Sequence, residues 1–231
     1  EPYLQNRKLF CPRGKMVGGC SAHNGMVFVR GNPNDYNRWA SFGLKDWSYE
    51  KVLPYFKKIE TWSEGKNEYR GGEGILPVNQ SKNKNPLFKA FIDSAGEAGY
   101  KINNDMNGKE QEGFGMYDVT IHNGERASVS KYYLNSAKKR KNLKVFSDSY
   151  VEKIIFEEKK AVGIEVKIKN KVEKIYANKE VILSGGSINS PQLLMLSGVG
   201  PAEHLKEKGI EIVHALEGVG KNLQDHLETY V

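Results

Sequence analysis

The feature that most constrains the fold is a strand-to-helix step in the last quarter of the chain. The segment 180–184, with apolar residues at 181–183, predicts a buried strand, and two glycines follow it directly. A helix is predicted next, with Ser190 as its N-cap, Pro191 at its first position and Gly198 just after its end. A buried strand that ends in glycine before a capped helix is typical of the carboxyl edge of a parallel sheet, where ligands bind in open α/β folds. The step therefore predicts an α/β protein with a ligand site.

The rest of the chain divides into a helix-rich first part and a strand-rich second part. In the first part, apolar spacing predicts helices at 21–29, 35–40, from Ser48 as an N-cap, at 86–99 and at 128–137, and one strand at 115–122. From residue 143 onward, alternation predicts strands at 143–146, 151–156, 161–168 and 172–177. Residues 63–85 are polar and rich in glycine, so a linker or surface loop is expected there.

A second glycine–helix unit lies near the start of the chain, over residues 14–26. Gly18 and Gly19 lack Cβ atoms, so the backbone there can come close to a bulky ligand. The predicted helix that follows would direct its free N–H groups at the same place, which favours phosphate or another anion. A tight turn that only packs against the protein is the alternative. The GxGxxG fingerprint of dinucleotide-binding proteins does not occur in the chain.

The chain is basic, and its charge pattern narrows the class of partner. Its formal net charge is +7, and its densest basic run is 138–141. No aromatic residues are interleaved with that run, so a solvated surface is expected, with an anion site, a partner site or a nucleic-acid site as the alternatives. No apolar stretch approaches the roughly 20 residues of a membrane span. The two cysteines form no metal-binding pattern.

Two long segments resemble the signatures of the glucose–methanol–choline (GMC) oxidoreductases. Residues 13–32, RGKMVGGCSAHNGMVFVRGN, are similar to the first signature, and their wording is most similar to insect members of the glucose dehydrogenase type. Residues 186–201, GSINSPQLLMLSGVGP, are similar to the second signature, and residues 219–226 resemble the segment that follows it. The matching segments extend over nearly the whole chain. The chain is therefore identified as a member of this family.

The resemblance implies an FAD-dependent oxidoreductase with a small-molecule substrate. It would oxidise the CH–OH group of an alcohol or a sugar by hydride transfer to the flavin, with oxygen or a quinone as electron acceptor. The implied fold class is α/β, with part of a Rossmann-like FAD-binding domain and part of an α+β substrate domain. Residues 1–64 and 130–220 would form the FAD-binding part, and residues 65–129 and 221–231 the substrate part.

The resemblance also implies which residues contact FAD, and it implies no metal ligand. Gly18 and Gly19 would approach the phosphates, and Val151 would hydrogen-bond the adenine through its backbone. On the first signature, the residues that would lie along the flavin and pyrophosphate are Asn24, Gly25, Met26 and Val27. On the segment 219–226, the residues that would lie near the flavin are Asn222, Asp225 and His226.

Two residues depart from the first signature of the family. Cys20 stands where a small hydroxyl residue or glycine is usual, and it is expected to be a small buried filler. A reactive thiol at a helix N-terminus is the alternative. His23 stands where an aliphatic residue is commoner, and no catalytic role is assigned to it.

The catalytic histidine of the family is expected beyond Val231, so no catalytic residue is predicted in this sequence. The chain starts at Glu1 and ends within an expected strand, which favours an internal part of a longer polypeptide that does not turn over by itself. A hydroxynitrile lyase of the same family, or a non-catalytic fragment or binding module, are the alternatives. The sequence Asn79-Gln80-Ser81 fits a glycosylation acceptor and favours a secreted protein.

Overall fold

The computed structural model describes residues 5–226, and the chain falls into two compact units, Glu1–Val145 (unit 1) and Phe146–Val231 (unit 2). This division follows contacts within the chain. The predicted division into an FAD-binding part and a substrate part followed the expected ligands, so those boundaries stay a prediction.

Unit 1 is built on a four-stranded mixed sheet. Its strands are β1 (Val27–Phe28), β2 (Glu60–Trp62), β3 (Leu76–Gln80) and β4 (Asp118–Val119), in the order β1-β4-β3-β2. β4 is antiparallel to both of its neighbours, and β3 runs parallel to β2. A hairpin follows β4 at once, with β5 (Ile121–His122) paired to β6 (Glu125–Arg126). Its turn residues, Asn123 and Gly124, have φ of +50° and +75°, and positive φ at both positions is what a two-residue type I′ turn requires.

The described part of unit 1 also holds four α-helices: α1 (Pro33–Ser41), α2 (Tyr49–Ile59), α3 (Pro86–Glu97) and α4 (Asn135–Ala137). α1 and α3 begin alike, with proline at the first position and asparagine as the side-chain cap. Asn32 Oδ1 accepts from the N–H of Asn34 at 2.9 Å, and Asn85 Oδ1 accepts from the N–H of Leu87 at 3.0 Å. The helices predicted at 35–40 and 86–99 are confirmed.

The helix predicted at 21–29 is wrong. A 3-10 helix, Gly19–Ala22, gives way to β1. The reason is that Val27 and Phe28 pair with β4, and this tertiary pairing decides the conformation of residues with good strand propensity. The strand predicted at 115–122 is confirmed only as the two short strands β4 and β5. The helix predicted at 128–137 is a π-helical turn, Ser130–Leu134, continued by α4.

The surface loop predicted at 63–85 is wrong in part, because this stretch contains β3 and the fully buried Arg70. α2 begins where it was predicted to begin, but its first turn is not capped by the predicted side chain. Ser48 occupies the N-cap position without a side-chain capping bond. Asn37 Oδ1, from α1, accepts from the N–H of Tyr49 at 3.0 Å instead.

Unit 2 contains an antiparallel meander of three strands, β7 (Ser149–Glu157), β8 (Lys160–Ile168) and β9 (Lys171–Tyr176). Lys169 and Asn170 turn the chain between β8 and β9 with φ of +45° and +72°. The strands predicted at 151–156, 161–168 and 172–177 are confirmed. The other elements are α5 (Gly186–Leu196), β10 (Val199–Gly200), α6 (Ala202–Glu207) and β11 (His214–Ala215), with β10 parallel to β11.

Ser197 joins the end of α5 to the meander. Its hydroxyl donates to the carbonyl of Leu193 at 2.6 Å and accepts from the N–H of Ile154, in β7, at 2.8 Å. Ser197 is fully buried, and Ile154 is nearly so. Part of the core of unit 2 therefore lies where α5 packs against β7.

The strands predicted at 180–184 and 143–146 are wrong. Residues 180–184 lie outside any strand, and Ile182 is 75% exposed. A strand needs a neighbouring strand to satisfy its backbone groups, and neither stretch belongs to a sheet among residues 5–226.

The helix after the two glycines begins earlier than predicted. Gly186 is its first residue, so Ser190 and Pro191 lie inside α5 and not at its start. Ser190 Oγ accepts from the N–H of Gly185 at 3.0 Å, so the residue before α5 is hydrogen-bonded to a side chain within the helix. Gly198 has φ of +86° just past the helix, which confirms its predicted position.

Candidate functional site

Residues 18–28 of unit 1 form a turn, called the glycine turn, in which backbone segments pack very closely. A Cβ atom on Gly14 would lie 2.3 Å from the carbonyl carbon of Gly19, so only glycine fits there. Gly18 and Gly19 have φ of +100° and +53°, a conformation that glycine adopts at no steric cost. A Cβ atom on Gly19 or on Gly25 would meet nothing within 4 Å. The glycine turn therefore presents bare backbone to open space at these two positions.

Met26 is the strained residue of the glycine turn. Its φ is +63°, which is uncommon for a residue with a Cβ atom and costs of order 1–3 kcal/mol. Asn24 Oδ1 accepts from the N–H of Met26 at 3.2 Å. The carbonyl of Met26 accepts from the N–H of Thr120 at 2.8 Å and from its hydroxyl at 3.2 Å. Strain that surrounding contacts maintain in this way is typical of ligand-binding segments.

Arg126, in β6, fastens the other half of the glycine turn. Its Nη1 atom donates to the carbonyl of Asn24 at 2.6 Å, to Asn24 Oδ1 at 2.7 Å and to the carbonyl of Ser21 at 3.3 Å. Ser21 Oγ in turn donates to the carbonyl of Gly18 at 2.6 Å and accepts from the N–H of Val129 at 3.0 Å. The hairpin thus holds the turn at several points.

The structure brings six predicted site residues together on this turn: Gly18, Gly19, Asn24, Gly25, Met26 and Val27. Gly18 and Gly19 come directly before and at the start of the 3-10 helix, and Val27 opens β1. Their roles toward a cofactor stay predictions. The open backbone at Gly19 and Gly25 leaves the space that a phosphate or a flat ring system would need, so the residues present fit FAD.

Cys20 and His23 lie on the same turn, and both are exposed. The prediction that Cys20 is a buried filler is wrong, because its side chain lies on the outer surface of the turn. Its thiol is free, and Sγ accepts from the N–H of Gly14 at 3.5 Å. Cys11 is also a free, exposed thiol.

In unit 2, Val151 lines an apolar cavity of about 580 Å³. Val151 lies beside an irregularity in β7, where the register against β8 shifts between Val151 and Lys153. Residues 180–185 and the side chains of Leu193 and Leu196 form much of the remaining wall. The cavity therefore joins Val151 to the glycine step that the sequence analysis singled out.

Asn222, Asp225 and His226 lie after β11 and are exposed. Asn222 has φ of +57°, and Asp225 Oδ1 accepts from the N–H of His226 at 2.9 Å. Within the described part of unit 2, none of the three is among the residues that line the cavity beside Val151. The structure thus gives them no shared site with Val151.

Sequence reasoning missed a buried charge cluster in unit 1, made of Arg30, Glu60, Arg70, Asp105 and Asp118. Arg70 is fully buried and donates to all three carboxylates: Nε to Glu60 at 3.0 Å, Nη1 to Asp105 at 2.6 Å and Nη2 to Asp118 at 2.7 Å. Its guanidinium also lies 4.1 Å from the ring centre of Trp62. Arg30 Nη2 donates to Glu60 at 2.6 Å.

The two guanidinium groups of this buried charge cluster respond differently to their surroundings. Burial acts to lower the pKa of Arg70, but the hydrogen bonds that Arg70 donates to Glu60, together with the negative charges of Glu60 and Asp118, outweigh burial, so the pKa is raised. For Arg30, burial dominates and lowers the pKa, although Glu60 opposes it. Arg30 Nε is buried without a hydrogen-bond partner among the described residues. Arg70 is therefore the better-satisfied charge.

The signal for the buried charge cluster was present in the glycines after Arg70. A Cβ atom on Gly71 would lie 1.9 Å from the carbonyl oxygen of Lys57, and one on Gly74 would lie 2.2 Å from the backbone nitrogen of Glu60. The glycines are there because this loop packs directly on the end of α2. An arginine beside such glycines belongs to a packed loop, whereas composition alone suggested a solvated one.

Among residues 5–226, no cluster of three or more His, Cys, Asp or Glu side chains is placed to hold a metal ion. No helix there has both the length and the apolar character needed to cross a bilayer.

The family model for GMC oxidoreductases matches residues 2–228. Over the whole chain, the sequence is 49% identical to an oxygen-dependent choline dehydrogenase from Brucella anthropi and 48% identical to one from Photobacterium profundum. The chain spans about two fifths of these relatives, 42% and 41% of their length. An FAD-dependent oxidoreductase from Chaetomium thermophilum superposes with a TM-score of 0.88 at 31% identity, covering 96% of this chain and 41% of that one. A formate oxidase from Aspergillus oryzae gives 0.84 at 27% identity, covering 93% and 38%.

Proposed function

Since the chain belongs to the GMC oxidoreductase family, we propose that the full-length protein oxidises the CH–OH group of an alcohol. The α/β fold class predicted from the sequence is confirmed by the family match and by the solved structures that superpose on the chain. FAD is the cofactor, as the sequence predicts. When bound, it supplies the acceptor for the hydride that leaves the substrate carbon.

The observation that carries this proposal is the pair of open glycine positions on either side of Asn24. Gly19 and Gly25 expose backbone where a Cβ atom would project into free space. Arg126 fixes the backbone between them and Thr120 fixes the carbonyl of Met26 just after Gly25, so the open face keeps its shape. A preorganised concave backbone reduces the entropy that is lost when a large ligand is ordered.

On this proposal, each predicted residue has a defined task. Gly18 and Gly19 admit the phosphates, and Asn24, Gly25, Met26 and Val27 lie along the flavin and pyrophosphate. In unit 2, the backbone of Val151 receives the adenine beside the apolar cavity. Asn222, Asp225 and His226 border the flavin from the segment after β11. The catalytic acid–base residue is not assigned to any residue of this chain.

The substrate that we propose is an alcohol with a quaternary ammonium group, such as choline. The support is the 49% identity, over the whole chain, to relatives named as choline dehydrogenases. The expected closeness to glucose dehydrogenases is not supported, because these relatives are named for choline. The two relatives are also named oxygen-dependent, which supports oxygen over a quinone as the electron acceptor.

Secretion stays a prediction. Asn79, the glycosylation candidate, lies within β3, where its backbone pairs with Val119. Its side-chain amide nitrogen donates to the carbonyl of Ile121. A glycan would be attached to this same nitrogen, which is part-buried against β5, so the sequon adds no support for a secreted protein.

Gly25→Leu in the full-length protein tests the proposed cofactor site. The backbone of Gly25 is not in the left-handed region, and the new side chain meets no protein atom at Cβ, so we expect a folded protein. The leucine side chain enters the proposed flavin space, and we expect FAD binding to weaken at least tenfold, which corresponds to about 1.4 kcal/mol. Flavin absorbance that co-elutes with the protein measures it, alongside turnover of choline and of glucose.

Gly218→Leu is the matched control, because a Cβ atom there also meets nothing within 4 Å and no left-handed φ is involved. We expect this variant to bind FAD as the natural sequence does. Normal FAD binding by Gly25→Leu would remove the glycine turn from the cofactor site. No FAD binding by the natural full-length protein would refute the proposed function itself, and turnover of glucose without choline would refute the proposed substrate.

A further inference from the structure

The glycine turn is held by β4 and by the hairpin that follows it. β4 pairs with β1 along Val27 and Phe28, and Thr120 hydrogen-bonds the carbonyl of Met26. Arg126 then reaches the turn from β6. The supports come from residues about one hundred positions further along the chain, and nothing in the sequence resemblance assigned them a task.

Arg126 is linked to the strained residue Met26 through the side chain of Asn24. One Nη1 atom donates to both the carbonyl and the side-chain oxygen of Asn24. The same side-chain oxygen accepts from the N–H of Met26. Asn24 Oδ1 therefore has two donors, and Arg126 fixes its orientation so that it can hold Met26 in the left-handed region.

The charge of Arg126 is directed wholly to this task. Within residues 5–226, all of the hydrogen bonds of its side chain go to Ser21 and Asn24. The adjacent carboxylate of Glu125 is paired with Lys131 on the other side of the hairpin. A charged donor strengthens the bonds to the neutral oxygens of the turn.

We propose that Arg126 is a positioning residue for the cofactor, and this rests on the proposed function of the glycine turn. Arg126 acts through Asn24: it orients the amide that holds Met26, so the bare backbone keeps the shape that receives the flavin. Without Arg126, Asn24 rotates freely, Met26 relaxes out of its strained conformation and the cofactor must reorder the turn when it binds.

The test uses the full-length protein with Arg126→Met, Arg126→Lys and the control Arg140→Met, which removes an exposed arginine of the same unit. For Arg126→Met we expect FAD affinity to fall about tenfold to hundredfold, since hydrogen bonds to charged groups have roughly this effect when they are removed. We also expect a changed visible circular dichroism spectrum of the residual bound flavin, and a fall in kcat that exceeds any change in KM. For Arg126→Lys we expect smaller changes in FAD affinity, in the flavin spectrum and in kcat, because lysine keeps one charged donor group.

A double variant separates positioning from general stability. If Arg126 acts through Asn24, then Asn24→Ala with Arg126→Met weakens FAD binding by clearly less than the product of the two single effects. If Arg126→Met does not yield folded protein, Arg126→Gln, which keeps a neutral donor, takes its place in the same cycle.

FAD affinity and a visible spectrum of Arg126→Met equal to those of Arg140→Met would overturn the inference, as would effects that multiply independently with Asn24→Ala. Both results leave FAD binding by the natural protein intact. Failure of the natural protein to bind FAD refutes the proposed function instead, so the two failures are distinguishable.

Discussion

Replacing Arg70 with methionine should be among the most destabilising single changes in unit 1. Arg70 is fully buried and hydrogen-bonds Glu60, Asp105 and Asp118. The buried charge cluster has two arginines and three carboxylates, so its formal charge is −1. Without Arg70 the formal charge in the same volume is −2. Methionine fills much of the space of the arginine stem, so the experiment isolates the lost charge and hydrogen bonds from a cavity effect.

The magnitude follows from what each carboxylate retains. Glu60, fully buried, keeps Arg30 at 2.6 Å and the N–H of Gly71 at 2.8 Å. Asp118 keeps two neutral donors, from Trp62 and Asn107, both at 3.2 Å. Breaking a buried ion pair costs about 3–5 kcal/mol because it leaves an uncompensated charge. Since some donors remain, we expect a loss of about 3–4 kcal/mol in the free energy of unfolding.

Urea unfolding of the full-length protein, followed by tryptophan fluorescence, measures this loss. Trp62 stacks on Arg70, so its emission in the folded state should also change in the variant. Arg38→Met is the control, because the Arg38–Asp35 pair is largely exposed and contributes about 0–1 kcal/mol. A loss for Arg70→Met that is no larger than the control would refute the reasoning, because the buried charge cluster would then contribute nothing beyond a surface pair.

Two further predictions concern a packed glycine and an acid-sensitive contact. Gly74→Ala should lower the free energy of unfolding by about 3 kcal/mol, because its Cβ atom would lie 2.2 Å from the backbone nitrogen of Glu60. Gly96→Ala in α3, whose Cβ atom would have its nearest neighbour at 3.5 Å, should be neutral or stabilising. Urea unfolding midpoints of the two variants check this, and equal midpoints would contradict it. The hydrogen bond from Lys221, together with one from the N–H of Ala202, lowers the pKa of Glu217. The contact therefore contributes to the free energy of unfolding at pH values above the ordinary pKa of glutamate, and this contribution is lost as pH falls through the lowered pKa. The urea midpoint of the natural protein should therefore fall more than that of Glu217→Gln between about pH 6 and about pH 3, and parallel pH profiles would exclude the contact.

The meander of unit 2 was predictable because its information is local. Alternating apolar residues marked 151–156, 161–168 and 172–177, and the turn between the last two strands holds Lys169 and Asn170. Each strand pairs with the next one along the chain, so a short sequence window contains both partners. The segment 180–184 is also apolar at its centre, but it pairs with no strand within the described chain, and Ile182 is exposed. An apolar pattern shows that a segment can pair, whereas pairing itself requires a neighbour.

Local rules give only a trace of the buried charge cluster. Its five side chains come from positions 30, 60, 70, 105 and 118, which are far apart in the sequence. Each charge taken alone resembles a solvated surface residue, and the prior for such residues is exposure. Only the glycines at 71 and 74 carry a local trace of the packing, since they show that another backbone comes close.

The candidate site divides in the same way. The resemblance to the family located the glycine turn, because the glycines and Asn24 are consecutive in sequence. The residues that hold the turn are distant from it in sequence. Thr120 and Arg126 follow β4, the strand that pairs with β1. Sequence therefore predicted a surface that would meet a ligand, and the structure shows which residues hold the backbone of that surface.

The buried charge cluster and the glycine turn meet at Asp118, and this explains why a charged cluster occupies the place of an apolar core. The backbone of Asp118 pairs with Phe28, and its carboxylate accepts from Arg70 and Asn107. Asn107 in turn donates to the carbonyl of Phe28 at 3.0 Å and accepts from the N–H of Arg30 at 2.7 Å. β1 has only two residues, too few for an alternating pattern to fix its register. Apolar side chains would bury as much surface, but they give no directional bonds, and a slip by one residue would exchange the faces of Val27 and Phe28. We infer that the buried charges fix the register of β1 and, through it, the position of Met26.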